Sequence, residues 1–107
     1  MEKIYNKLVR DNIPDIIIKN GEMPVTRVLD DYDYKKELEK KLYEEYNEVL
    51  NTNGKDRIEE LGDMIEVIKC LAILEDSSLE EVLDVSKEKC LNKGSFNNKI
   101  YLEKTID

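Results

Sequence analysis

A chain of 107 residues with 39% charged side chains is long enough for one domain with one core. Its net charge of −8, with no histidine, excludes a basic groove for a nucleic-acid polymer and removes a common zinc ligand. No run approaches the roughly 18 apolar residues of a membrane span, and Met1-Glu2-Lys3-Ile4-Tyr5-Asn6 lacks a signal-peptide core, so the expected location is cytoplasmic, away from membranes.

In chain order, Asp11 is expected to cap a short helix over 12–19, with Pro14 tolerated in its first turn and Asn20-Gly21 as the stop. Met23 to Leu29 is proline-led and β-branched, which predicts a short edge strand. Asp30, Asp31 and Asp33 then supply caps and negative charge for a long helix over about 33–51, ended by Asn51-Thr52-Asn53-Gly54. A second long helix is expected over about 55–75, and the short turn makes the two antiparallel neighbours. Ser78-Leu79-Glu80-Glu81 has a capping-box pattern and opens a helix to about Leu91, with Gly94 marking its end. Residues 99–104 alternate in polarity and are expected to pair with the earlier strand. The predicted fold is therefore all-α, mainly helical with a small two-stranded β element, in one domain spanning 1–107. Cys70 and Cys90 lie far apart with no CxxC; both are expected as buried or half-buried free thiols in a reducing compartment.

The chemistry lies in the acids of the two long helices. Glu45 with Glu48, and Glu60 with Asp63, are spaced three apart, so each pair sets two like charges side by side on a helix surface. At about 100° per residue, Leu38, Leu42, Tyr46 and Val49 share a stripe with Glu45 on its flank, while Glu44 points away to solvent. On the following helix Ile58, Leu61, Ile65, Ile68 and Ala72 form the centre of an apolar face, widened on one side by Met64, Val67, Leu71 and Leu74. Glu60 falls inside that widened side and Asp63 at its edge. The helical hairpin brings the two acidic pairs together, and carboxylates beside apolar neighbours are costly unless paired or bound to metal. Oxygen-only ligands favour Mg²⁺, with Mn²⁺ as a substitute. Without a cation, at least one of the four acids is expected to titrate above the ordinary carboxylate range. Gly62, a poor helix former within the second cluster, suggests a close approach by a helix or a ligand.

Glu44-Glu45-x-x-Glu48 followed by Glu60-x-x-Asp63 resembles the EExxE…ExxD signature of all-α nucleoside triphosphate pyrophosphohydrolases, the MazG-like and phosphoribosyl-ATP pyrophosphohydrolase superfamily. Tyr5-Asn6-Lys7-Leu8-Val9-Arg10-Asp11-Asn12-Ile13-Pro14 looks like the YNKLVRDKIP-type segment of its small single-domain members. Lys93-Gly94-Ser95-Phe96 followed by Ile100-Tyr101-Leu102-Glu103 is similar to their RGGF…I-x-L-E ending. The resemblance implies a MazG-like helical bundle completed by homo-oligomerisation, as a dimer or tetramer. It also implies Mg²⁺ held by Glu45, Glu48, Glu60 and Asp63, which form the catalytic set, and substrate contacts from Lys7, Arg10, Lys93 and Lys99. The implied reaction cleaves between the α and β phosphates of a nucleotide to give a monophosphate and pyrophosphate, a house-cleaning activity on nucleotide pools. No histidine base is required, because metal ions polarise phosphoryl oxygens.

Two departures from the family's pattern bear on substrate choice. Asn12 stands where lysine is frequent, and Lys93-Gly94-Ser95 replaces Arg-Gly-Gly, exchanging a bidentate fork for a point charge. Three other readings compete: a phosphoribosyl-ATP pyrophosphohydrolase of histidine biosynthesis, a non-catalytic nucleotide-binding or protein-interaction module, and a metal-stabilised structural bundle.

Overall fold

The computed structural model describes all 107 residues as four helices and no strand: α1 (Ile13–Lys19), α2 (Asp31–Leu50), α3 (Gly54–Leu74) and α4 (Leu79–Lys93). Local chemistry accounts for most of the boundaries. Asp30 accepts a hydrogen bond from the Asp33 backbone N–H at 2.8 Å and caps α2, and Ser78 does the same for Glu81 at 3.1 Å at the start of α4. Asp11 does not cap α1; Asn12 occupies the cap position and makes no side-chain cap bond.

Between α2 and α3 the turn is closed by side chains. Thr52 Oγ1 donates to the Glu48 carbonyl at 2.7 Å, Asn51 Nδ2 donates to the Asn47 carbonyl at 2.8 Å, and Arg57 Nε reaches back to the Thr52 carbonyl at 2.8 Å. Gly54 has φ 58°, a left-handed conformation that glycine adopts without strain. The first two bonds reinforce carbonyls in the last turn of α2 and the third ties the first turn of α3 to the connection, where α3 folds back along α2.

The hairpin of α2 and α3 carries the core, with α4 packed on α3 and α1 apart from all three. Only Leu38 on α2 and Val67 and Ala72 on α3 are buried. A register that faces Glu45 to Glu60 also faces Leu38 to Val67, two turns farther from the connection. The side of α3 turned to α2 is the flank with Met64, Val67, Leu71 and Leu74, whereas Ile58, Leu61 and Ile65 stay outward at 68%, 40% and 43% exposure. The expected centre of the apolar face is thus covered only toward its far end, where Ala72 is buried and Ile68 half-buried, and is left open at Ile58, Leu61 and Ile65, beside Glu60 and Asp63. Apart from the helix's own adjoining backbone, no atom lies within 4 Å of where a Cβ on Gly62 would sit, so the close approach expected there does not occur within the chain.

The two expected strands are absent. Residues 23–29 and 100–107 make no backbone–backbone hydrogen bond, and Val25, Val28 and Tyr101 are 97%, 99% and 88% exposed. Neither segment has a neighbouring strand, and β-propensity alone does not supply one. Cys70 is a half-buried free thiol as expected, but Cys90 is exposed because α4 buries none of its residues. No helix is long and apolar enough to cross a membrane.

With so small a core, its deepest residue should matter. Leu38, 3% exposed, sits where α2 meets α3, and Leu38→Ala is expected to cost about 2–5 kcal/mol. A urea midpoint within error of wild type would show that the hairpin is not the stabilising unit.

Candidate functional site

The hairpin register places three acids at one point. Carboxylate oxygens of Glu45 on α2 and of Glu60 and Asp63 on α3 all lie within 4.8 Å of one another, each residue half-buried. Glu45 is the most constrained of the three: its Oε2 is buried with no hydrogen-bond donor. Ionised, Glu45 and Glu60 are acceptors only, so a proton between them provides the missing donor. The Glu45 carboxyl is accordingly pushed up from 4.5 to about 7, first by burial, then by the hydrogen bond with Glu60 and the charge of Asp63, with Lys41 pulling it back. An all-oxygen donor set with one buried, donorless oxygen fits a hard divalent cation.

An open recess spreads from this point, lined by Lys7, Lys41, Glu44, Glu45, Asn47, Glu48 and Glu60, with no apolar residue. Glu48 lies in its wall but outside the group of three. Glu44, expected to face away, also lines the recess, its carboxylate paired with Lys41 at 3.3 Å. Lys41 and Asn47 were not anticipated; Lys41 is one helical turn before Glu45, and that spacing was the available signal.

The amino-terminal segment brings its cations to the same place. Arg10 Nη2 donates to Asp63 Oδ1 at 2.7 Å across 53 residues of sequence, while Lys7 lines the recess and lies 5.7 Å from the Tyr5 ring centroid. Lys93 and Lys99 are exposed and take no part in the recess. Lys93 ends α4, and Lys99 follows in the carboxyl-terminal segment with φ 60°.

Farther along the hairpin, away from the turn, Cys70 donates to Glu66 at 3.6 Å, and the Tyr34 phenol is pushed up to about 12 by burial, then by its hydrogen bond to Cys70 and the charges of Cys70, Asp11 and Glu66. A phenol held so firmly in its neutral form serves packing and hydrogen bonding. The recess at Glu45, Glu60 and Asp63 is the stronger candidate site. No family model, curated protein or solved structure matches this chain.

Proposed function

We propose that this chain is a Mg²⁺-dependent nucleotide pyrophosphohydrolase of MazG-like type, acting in the cytoplasm as a homo-oligomer. The observation that carries the reading is the buried, donorless oxygen of Glu45 set against the carboxylates of Glu60 and Asp63. Glu45, Glu60 and Asp63, with Glu48 from the recess wall, would hold the ion. When bound, Mg²⁺ supplies polarisation of phosphoryl oxygens and neutralises developing negative charge. Lys7 and Arg10 would orient the phosphates, since both reach the acidic cluster from the amino-terminal segment.

Assembly is supported by how little a single chain covers. Its accessible surface is 10150 Å², where a compact monomer of 12.6 kDa would expose roughly 6,200 Å². The radius of gyration is 18.5 Å, against about 13 Å for a compact domain of this length. Antiparallel hairpins that join through the outward Ile58, Leu61 and Ile65 would form a four-helix bundle. A recess with no apolar wall also offers a base nothing to stack on within one chain.

Incubation with a panel of nucleoside di- and triphosphates and phosphoribosyl-ATP, with and without Mg²⁺, tests the reading by product chromatography. Monophosphate plus pyrophosphate from a triphosphate is expected, and phosphoribosyl-ATP as the single substrate would move the chain into histidine biosynthesis. Diphosphate plus orthophosphate would sink the proposed bond of cleavage. Absence of turnover with Mg²⁺ raising only the melting temperature would favour a structural metal bundle.

Arg10 is expected to act in two ways. It neutralises Asp63 when no cation is bound, so it competes with the ion for that carboxylate. An exposed ion pair is worth about 0–1 kcal/mol, so Arg10→Gln should tighten Mn²⁺ binding by about two- to fivefold in calorimetry while weakening the nucleotide. Looser Mn²⁺ binding in the variant would show that Arg10 does not oppose the ion.

A further inference from the structure

Two stretches of this chain share a pattern and a lack of partners. Residues 23–29 and 100–106 carry large apolar side chains in strand-like sequence: Met23, Val25 and Val28 in the first, and Ile100, Tyr101 and Leu102 in the second. These six are between 75% and 99% exposed. Neither stretch belongs to a helix or strand, and neither donates nor accepts a backbone–backbone hydrogen bond. Each therefore presents a free edge of N–H and C=O groups, the feature that recruits another extended segment.

We propose that these stretches pair across two copies of the chain, the carboxyl-terminal arm of one copy lying along residues 23–29 of the other. The inference rests on the homo-oligomer proposed above and specifies how its copies interlock. Two observations favour a second copy as the occupant. First, both halves of the pair are already in this chain, so a two-fold arrangement satisfies both at once. Second, six apolar side chains at this exposure amount to several hundred Å² per copy, a large part of the roughly 800 Å² that each partner contributes to a standard interface.

The arm leaves α4 in a direction set by its backbone. Gly94 has φ 85° and Lys99 φ 60°, and a turn closes where the Lys99 N–H donates to the Phe96 carbonyl at 3.1 Å. The final residues are thereby carried off the helical body. Docking the arm on a neighbour would also bring Lys99 to that neighbour's surface, giving this lysine a setting that a single chain lacks.

Photo-crosslinking between isotopically distinct copies tests the pairing. Tyr101→p-benzoylphenylalanine in ¹⁵N-labelled protein, mixed and refolded with unlabelled wild type, should yield hybrid ¹⁵N–¹⁴N peptides containing residues 23–29. The reciprocal placement, Val25→p-benzoylphenylalanine, should capture residues 99–106 and guards against one variant folding poorly. Val25→Asp/Val28→Asp should abolish capture by the Tyr101 probe and weaken self-association at least tenfold in sedimentation, with the helical circular dichroism retained. Cross-links confined to single copies, hybrid peptides from any other stretch, or no cross-link from either placement would overturn the pairing. A wild-type protein that sediments as a monomer overturns the homo-oligomer as well, whereas a dimer without these hybrid peptides overturns the arm pairing alone.

Discussion

Glu45→Gln is expected to remove hydrolysis and to raise the melting temperature of the metal-free protein. Glu45 is the acid with a buried, donorless oxygen, and its charge sits beside Glu60 and Asp63. The amide keeps its shape and volume but removes the charge, and its N–H groups donate to the neighbouring carboxylate. Metal affinity should fall sharply, since altering even a group that only supports a ligand typically costs 10–100-fold. Turnover, read as pyrophosphate release, should drop at least about a hundredfold. In the same variant the metal-free melting temperature should rise by a few degrees, on a scale where 1 kcal/mol is worth roughly 4–8 °C in a small domain. Glu44→Gln is the control: its carboxylate is already paired with Lys41 and 49% exposed, and activity should stay within about threefold. A Glu45→Gln protein that melts earlier than wild type without metal and still turns over would remove Glu45 from the site.

Acid and Mg²⁺ should stabilise the wild-type protein by relieving the same repulsion. The Glu45 carboxyl has an ordinary value of 4.5 and is raised to about 7 in the folded chain by burial, then by Glu60 and Asp63. Between these values the folded state holds a proton that the unfolded state has released, so stability falls as pH rises through this window. Below about 4.5 the proton is bound in both states and the folded form escapes the penalty; above about 7 the penalty is complete. Melts from pH 8 down to pH 5.5 should therefore show a rising midpoint, and Glu45→Gln should flatten that dependence. At pH 8, millimolar Mg²⁺ should recover most of the gain by binding the folded state, with little further effect at pH 5.5, where the proton competes for the same oxygens. Midpoints that fall on mild acidification in wild type, or a slope that persists in Glu45→Gln, would place the controlling group elsewhere.

The relief was expected at one of four acids, and only the folded arrangement selects which. By spacing alone Glu45, Glu48, Glu60 and Asp63 are equivalent, as two pairs three residues apart. In the fold, Arg10 reaches Asp63 at 2.7 Å and Glu48 stays in the recess wall, leaving Glu45 with a buried oxygen and no donor. Sequence reasoning has no access to a contact across 53 residues, so it does not register that Asp63 already has a counter-charge.

Local chemistry determined the helices. Asp30, Ser78 and the Asn51-Thr52 turn are short-range devices, acting through bonds within a few residues, and they put the helix ends within two residues of expectation. The hairpin, and with it the meeting of Glu45 with Glu60 and Asp63, follows from a connection too short for any arrangement but an antiparallel one. Tertiary structure decided which part of the broad apolar face of α3 is covered, since periodicity gives the face but not the portion that one partner helix shields; Val67 and Ala72 are buried, whereas Ile58, Leu61 and Ile65 stay outward. It also left residues 23–29 and 99–104 without the pairing that their alternation predicted. A strand forms only where another supplies hydrogen bonds, and within one chain residues 23–29 and 100–107 make no backbone–backbone bond.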